Sequence, residues 1–228
     1  DGRTDLGVFR ADANPANPDF FVLRSLTNTV SYAVWGTTGD VPITGDYDGD
    51  RKADYAVFRP SVNTWYIQNS LGTTRADSFG SAGDMPLAMD YEGDGKSNIG
   101  VFRPSTATWY VAKATGVPAQ NFYAVPFGVG TDKPVPADYD GDNKDDIAVF
   151  RPSSGIWYAL RSSNGAVLAA QFGASADVPV PGDYDGDGRD DFAVFRNGTW
   201  YVSGSSTGFM GMAFGLGSDT PVPKKYIP

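Results

Sequence analysis

Short apolar runs, not helical periods, organise this chain of 228 residues. The runs DLGVFR (5–10), DYAVFR (54–59), NIGVFR (98–103), DIAVFR (146–151) and DFAVFR (191–196) are each followed by a turn and an aromatic stretch. Those stretches are FFVLR (20–24), TWYIQ (64–68), TWYVA (108–112), IWYAL (156–160) and TWYVS (199–203). A third segment ends in an aromatic-glycine pair at 35–36, 79–80, 127–128, 172–173 and 214–215. An Asp then precedes an X-Pro segment: DVPIT, DMPLA, DKPVP, DVPVP and DTPVP. Runs of this length, rich in β-branched and aromatic residues and bounded by Gly and Pro, read as strands. No stretch carries a useful 3.6-residue period.

Four strands therefore recur five times, about every 45 residues. Such a period predicts an all-β, five-bladed β-propeller with one four-stranded unit per blade. The C-terminal PVPKKYIP aligns with PVPGDYDG at 179–186, so Asp1 continues the repeat in register where Pro228 stops. The expected blades are 221–228 with 1–36, then 40–80, 84–128, 132–173 and 177–215, all within one domain, 1–228. The C-terminal strand should pair with the N-terminal blade and close the ring, which removes exposed strand edges.

The X-Pro segments lead into four polar loops: DYDGDRKAD (46–54), DYEGDGKSN (90–98), DYDGDNKDD (138–146) and DYDGDGRDD (183–191). Each places carboxylates at positions 1, 3 and 5 and an Asp or Asn at position 9. A tight loop turns alternating oxygens toward one point, the arrangement that calcium requires. The candidate ligands are Asp46, Asp48, Asp50 and Asp54; Asp90, Glu92, Asp94 and Asn98; Asp138, Asp140, Asp142 and Asp146; Asp183, Asp185, Asp187 and Asp191. Position 7 (Lys52, Lys96, Lys144, Arg189) would offer its backbone carbonyl and point its charge outward. The loops differ from an EF-hand, because position 12 is Val57, Val101, Val149 or Val194 in place of Glu. The 90–98 loop carries one carboxylate fewer and a longer Glu92, so it should bind most weakly. Arg51 stands where the other loops have Gly or Asn. At the join, Lys225 and Ile227 replace the first two ligands while Asp1 and Asp5 keep positions 5 and 9. No metal is expected there, and Lys225 should pair with Asp5 or Asp1.

On the acidic loops and the terminal FG (WG in the first unit), the repeats resemble the FG-GAP and VCBS-type repeats of bacterial surface proteins. These are related to the calcium-bearing blades of integrin α-subunit propellers. The resemblance covers essentially the whole chain. It implies that each loop joins the innermost strand of a blade to the second and binds calcium. It also implies roles in adhesion, carbohydrate contact or support of an enzyme, without choosing among them.

Charge narrows the partners. The net charge is −9, and fifteen of the 27 carboxylates stand at ligand positions, so four calcium ions would bring the formal charge to −1. There is no basic stripe with interleaved aromatics, which argues against nucleic acid, and no apolar run long enough to span a membrane. Sites of millimolar affinity suit a secreted or cell-surface setting. The chain has no His or Cys, which removes most general-base and nucleophile arrangements. Its one Glu is a candidate ligand. Five Asp outside the loops recur at one repeat position (Asp40, Asp84, Asp132, Asp177, Asp219), and the remaining Asp12, Asp19, Asp77, Asp145 and Asp190 are scattered. A non-catalytic binding module for glycan or protein follows. The alternative is a structural or accessory domain of a larger extracellular enzyme or surface assembly.

The repeated Arg10, Arg59, Arg103, Arg151 and Arg196 should pair with the repeated Asp and tie strands or blades. The alternative is a ring of five exposed guanidinium groups. The Trp-Tyr pairs should be mostly core, since adjacent strand residues face opposite ways. A ligand would then meet blade-specific loops: 11–19, or 112–126 with Phe122 and Tyr123.

Overall fold

The computed structural model describes residues 3–10, 14, 16–222 and, for the backbone alone, 224–225. Its described secondary structure is strand, arranged as five antiparallel sheets in a ring. The first sheet holds β1 (Thr4–Phe9), β2 (Phe20–Leu23) and β3 (Val30–Ala33). The second runs β4 (Val41–Pro42), β5 (Tyr55–Arg59), β6 (Thr64–Gln68), β7 (Thr74–Ser78). The third runs β8 (Met85–Met89), β9 (Asn98–Arg103), β10 (Thr108–Ala112), β11 (Phe122–Pro126). The fourth runs β12 (Lys133–Pro134), β13 (Ile147–Arg151), β14 (Ile156–Leu160), β15 (Val167–Gln171). The fifth runs β16 (Val178–Pro179), β17 (Phe192–Arg196), β18 (Thr199–Gly204), β19 (Gly208–Ala213). Two C-terminal strands, β20 (Thr220–Pro221) and β21 (Lys224–Lys225), return to the first sheet.

That return closes the five-bladed propeller as the sequence predicts. Val8 stands opposite Pro221, Phe9 opposite Thr220, and Thr4 opposite Lys225. The Val222 N–H donates to the Gly7 carbonyl at 2.7 Å. A side chain at residue 7 would come within 2.6 Å of the Val222 carbonyl oxygen, which explains the small residue there.

Each repeated motif has a packing role. Trp65, Trp109, Trp157 and Trp200 are essentially fully buried. Their indole N–H groups donate to the carbonyls of Phe79, Phe127, Phe172 and Phe214 at 2.8–3.3 Å, tying the third strand of each blade to the end of the fourth. The glycine that follows each aromatic lies at positive φ, from 92° to 122°. Added Cβ atoms at Gly80, Gly128, Gly173 and Gly215 would meet Val101, Val149, Val194 and Val8 of the next blade at 2.8–3.0 Å. The aromatic-glycine pair is thus where one blade presses against its neighbour.

The Arg and Asp series pair as expected. Arg59, Arg103, Arg151, Arg196 and Arg10 each reach both oxygens of Asp40, Asp84, Asp132, Asp177 and Asp219 at 2.6–2.9 Å. Each Asp also caps its own turn by accepting an N–H three residues before it, from Thr37, Ser81, Val129, Ala174 or Leu216. The guanidinium lies 4.5–5.2 Å from the centroid of Tyr66, Tyr110, Tyr158, Tyr201 or Phe21.

Candidate metal centres in the acidic loops

In every loop the position-1 carboxylate holds the turn from inside. Asp46 accepts the N–H groups of Gly49 (2.6 Å) and Arg51 (2.7 Å). Asp90 accepts those of Gly93, Asp94 and Gly95, Asp138 those of Gly141, Asp142 and Asn143, and Asp183 those of Gly186, Asp187 and Gly188. The turn needs positive φ at position 6: Arg51 67°, Gly95 81°, Asn143 65° and Gly188 90°. Arg51 therefore adopts the left-handed conformation its place in the repeat requires, at a conformational cost that Gly95 and Gly188 avoid and that is smaller for Asn143. The position-5 carboxylate takes the position-7 N–H at 2.9–3.0 Å.

Position 9 joins the loop to the next hairpin. Asp54 accepts the N–H of Tyr47 at 2.8 Å and of Ser70 at 2.9 Å. Asp146 does the same with Tyr139 and Ser162, and Asp191 with Tyr184 and Ser205. The hydroxyls of those serines donate to the position-5 carboxylates: Ser70 to Asp50, Ser162 to Asp142 at 2.7 Å, Ser205 to Asp187 at 2.7 Å. Ser163 reaches Asp140, and Ser206 and Thr207 reach Asp185. Sequence reasoning missed this series, although it is legible. Four residues after the second aromatic of each pair stand Ser25, Ser70, Ser162 and Ser205, with Ala114 as the exception.

Three loops gather carboxylate oxygens within 4.8 Å of one another: Asp46, Asp48 and Asp50; Asp138, Asp140 and Asp142; Asp183, Asp185 and Asp191. One oxygen each of Asp140 and Asp185 is buried without a hydrogen-bond partner among the described residues. Burial, with the Asp48 and Asp46 charges adding, pushes the Asp54 carboxyl up to about 6. Burial does the same for Asp146, again to about 6, with help from Asp140 and Asp138. Asp46, Asp90, Asp138 and Asp191 are also raised, burial being the leading cause. Asp50 is lowered by the Ser70 hydroxyl. Buried, crowded carboxylates resist ionisation, and a hard cation among them would relieve this.

The 90–98 loop is built differently. Glu92 turns to the adjacent hairpin, where it accepts the Ala114 N–H (2.9 Å), the Tyr123 hydroxyl (3.0 Å) and the Asn98 amide (3.3 Å). Burial works upward on this carboxyl, but these donors outweigh it and the Glu92 pKa is lowered. Tyr123 is thus engaged within the blade, its ring 4.9 Å from Tyr91 and 4.8 Å from the Lys113 ammonium. Phe122 is exposed at the rim and leans on Phe79 and Tyr110.

The loops are chained around the ring. The N–H groups of Ser97, Asp145, Asp190 and Thr4 donate to the carbonyls of Asp46, Asp90, Asp138 and Asp183 in the preceding blade at 2.5–2.9 Å. The Asp145 and Asp190 carboxylates accept the N–H groups of Asp90 and Asp138 at 2.8 Å in return. The position-7 side chains Lys96, Lys144 and Arg189, with Arg3, lie over the position-4 glycines of the preceding loops.

At the join, Asp5 is buried and accepts the Ser25 N–H at 2.7 Å. Asp1, Asp12, Ile227, Pro228 and the Lys225 side chain lie outside the described residues, as does part of the 11–19 loop. The proposed Lys225 ion pair therefore lies there too.

No protein-family model matches the chain, and no curated protein matches it. Solved structures resemble its fold. A Bacteroides caccae protein of unknown function aligns at a TM-score of 0.53 with 8% identity, covering 92% of this chain and 73% of its own. A catalytically inactive virginiamycin B lyase from Staphylococcus aureus aligns at 0.49 with 10% identity, covering 92% of this chain and 71% of its own. An Agrocybe aegerita lectin that recognises non-reducing terminal N-acetylglucosamine aligns at 0.48 with 18% identity, covering 93% of this chain and 63% of its own. At these identities the likeness concerns architecture alone.

Proposed function

We propose that the chain is a calcium-stiffened β-propeller that serves as a rigid, non-catalytic binding module for glycan or protein outside the cell. The observation that carries the calcium reading is the repeated convergence of three carboxylates in the 46–54, 138–146 and 183–191 loops. The donor set is all oxygen, which favours calcium over softer metals. The orphaned oxygens of Asp140 and Asp185 are where such an ion would be held. Lacking three convergent carboxylates among its described residues, the 90–98 loop is the weakest of the four sites. Bound calcium would offset much of the negative charge of the loops and fix the turns between blades.

Binding, not catalysis, is the reading the residues favour, because the chain has no His or Cys and its acidic groups are engaged in turns, ion pairs and loops. A secreted or surface setting follows from the calcium range in which extracellular modules work, roughly 10⁻⁴–10⁻³ M. Calorimetric titration of chelator-treated protein tests the calcium reading. At least three sites in the micromolar to millimolar range are expected, and no binding heat up to 10 mM calcium overturns it.

A further inference from the structure

The junction between the first and second blades differs from the other four. At each junction the aromatic of the aromatic-glycine pair shares a core cluster with the Tyr or Phe of the next blade. In the third blade, Phe122 fills the space between: its ring lies 6.2 Å from Phe79 and 5.7 Å from Tyr110. Phe209 covers Tyr201 in the fifth blade at 6.3 Å. The same register position is Val167 in the fourth blade and Val30 in the first. In the second blade alone it is polar, Thr74 opposite Gln68. The facing aromatic is also exceptional there, Trp35 where the other four are Phe.

An open groove of about 280 Å³ lies at this junction, lined by Val34, Trp35, Gly36, Val57, Arg59 and Tyr66. Its chemistry is specific. Arg59 is the only charged group of the lining, and its Nε and Nη2 are committed to Asp40 at 2.8 and 2.9 Å. The groove therefore carries no net charge to draw an anion. The Tyr66 phenol lies beside Arg59, with the guanidinium 4.5 Å from the ring centroid. Trp35 is anchored by its N–H to the Tyr66 carbonyl at 3.2 Å, which fixes the indole at the groove wall. It is the one Trp of five that is not fully buried.

We propose that this groove is a carbohydrate subsite that takes one neutral pyranose ring from a glycan. The apolar C–H face of a sugar matches the Trp35 indole and the Val34 and Val57 methyls. Its hydroxyls match the polar edge formed by the Arg59 guanidinium and the Tyr66 phenol. The volume lies just below the usual range of small-molecule pockets, about 300–1,000 Å³, and suits a single ring. The proposal rests on the reading of the domain as a binding module and assigns the place and class of its ligand.

The test uses the full chain in 5 mM calcium. Because the other four Trp are buried, acrylamide quenching reports on Trp35. Methyl glycosides of glucose, galactose, mannose and N-acetylglucosamine serve as probes, with the methyl glycoside of glucuronic acid as the anionic control. Saturation-transfer NMR on the same glycosides gives a readout independent of fluorescence. At least one neutral glycoside should protect Trp35 saturably in the millimolar range. Thr74→Phe, which restores the filling seen at Phe122, should weaken that binding at least tenfold, as should Val34→Arg at the exposed rim, with melting unchanged. No signal from any neutral glycoside up to 100 mM, equal binding of the glucuronide, or unaltered binding in both variants overturns the proposal. Glycoside binding by a protein that takes up no calcium would overturn the calcium reading and leave this one standing.

Discussion

Arg10 and Asp219 stand 209 residues apart in the chain and form a two-point ion pair at 2.8 and 2.7 Å. In the other blades the same pair spans only 19 residues. Here it fastens the first blade's second strand to the C-terminal strand that completes it. The Asp219 side chain is fully shielded while Arg10 is 46% exposed. Arg10→Ala leaves a buried carboxylate with the Leu216 N–H as its remaining donor. We expect a loss of about 1–3 kcal/mol, a fall in Tm of about 2–12 °C for a chain of this size. Thermal melts should show Arg75→Ala, at an exposed pair, to be nearly neutral.

The same pairs set an acid limit. Burial raises the carboxyls of Asp177 and Asp219, but the Arg196 and Arg10 guanidinium groups with one backbone N–H each outweigh it, so both are lowered. A carboxyl whose folded pKa lies below its unfolded value of about 3.9 adds stability above that value and loses it as pH falls through the folded one. The stability gap between the parent and Asp219→Asn should therefore be full at pH 5 and smaller at pH 3, measured by urea midpoints in chelator. A gap that does not change with pH contradicts this.

The 90–98 loop should be the first to empty. Glu92 is held by Ala114, Tyr123 and Asn98, so calcium must compete with three donors already in place. Glu92→Asp with Asn98→Asp restores the set of the other loops and should raise affinity there by about tenfold or more, read by calcium titration. Finding the parent 90–98 loop the tightest of the four would refute the ranking.

The serine series should tune affinity. Ser162 donates its N–H to Asp146 and its hydroxyl to Asp142. Removing a hydrogen bond that orients a ligand weakens metal sites by about 10–100-fold. Ser162→Ala keeps the N–H bond, so we expect the lower end, about tenfold, at the 138–146 loop, and no change at 46–54.

Much of the fold was legible because each repeat states its own packing. The aromatic-glycine pair marks the end of each unit at Gly80 and its equivalents. The Arg and Asp series announce Arg59–Asp40 by their equal numbers. The loop spacing brought Asp46, Asp48 and Asp50 together. What was not legible depends on which donor reaches a side chain first. Glu92 reads as a ligand by position, yet its extra methylene lets it reach the hairpin donors at Ala114 and Tyr123. Tyr123 reads as an exposed loop aromatic, but β11 turns its hydroxyl inward to Glu92. At the Trp35 junction, Thr74 means nothing until strand register places it opposite Gln68, at the position that Phe122 holds in the third blade.

The central claim is that calcium completes the acidic loops. A ligand that binds only the folded chain adds about 1.4 kcal/mol per site at tenfold excess over Kd, so three or four sites add about 4–6 kcal/mol. The direct measurement is the melting temperature of protein shown by elemental analysis to be metal-free, compared with the same protein in 5 mM calcium. The account predicts a rise of about 8 °C or more, reversed by chelator. Equal melting temperatures in the two states would contradict it.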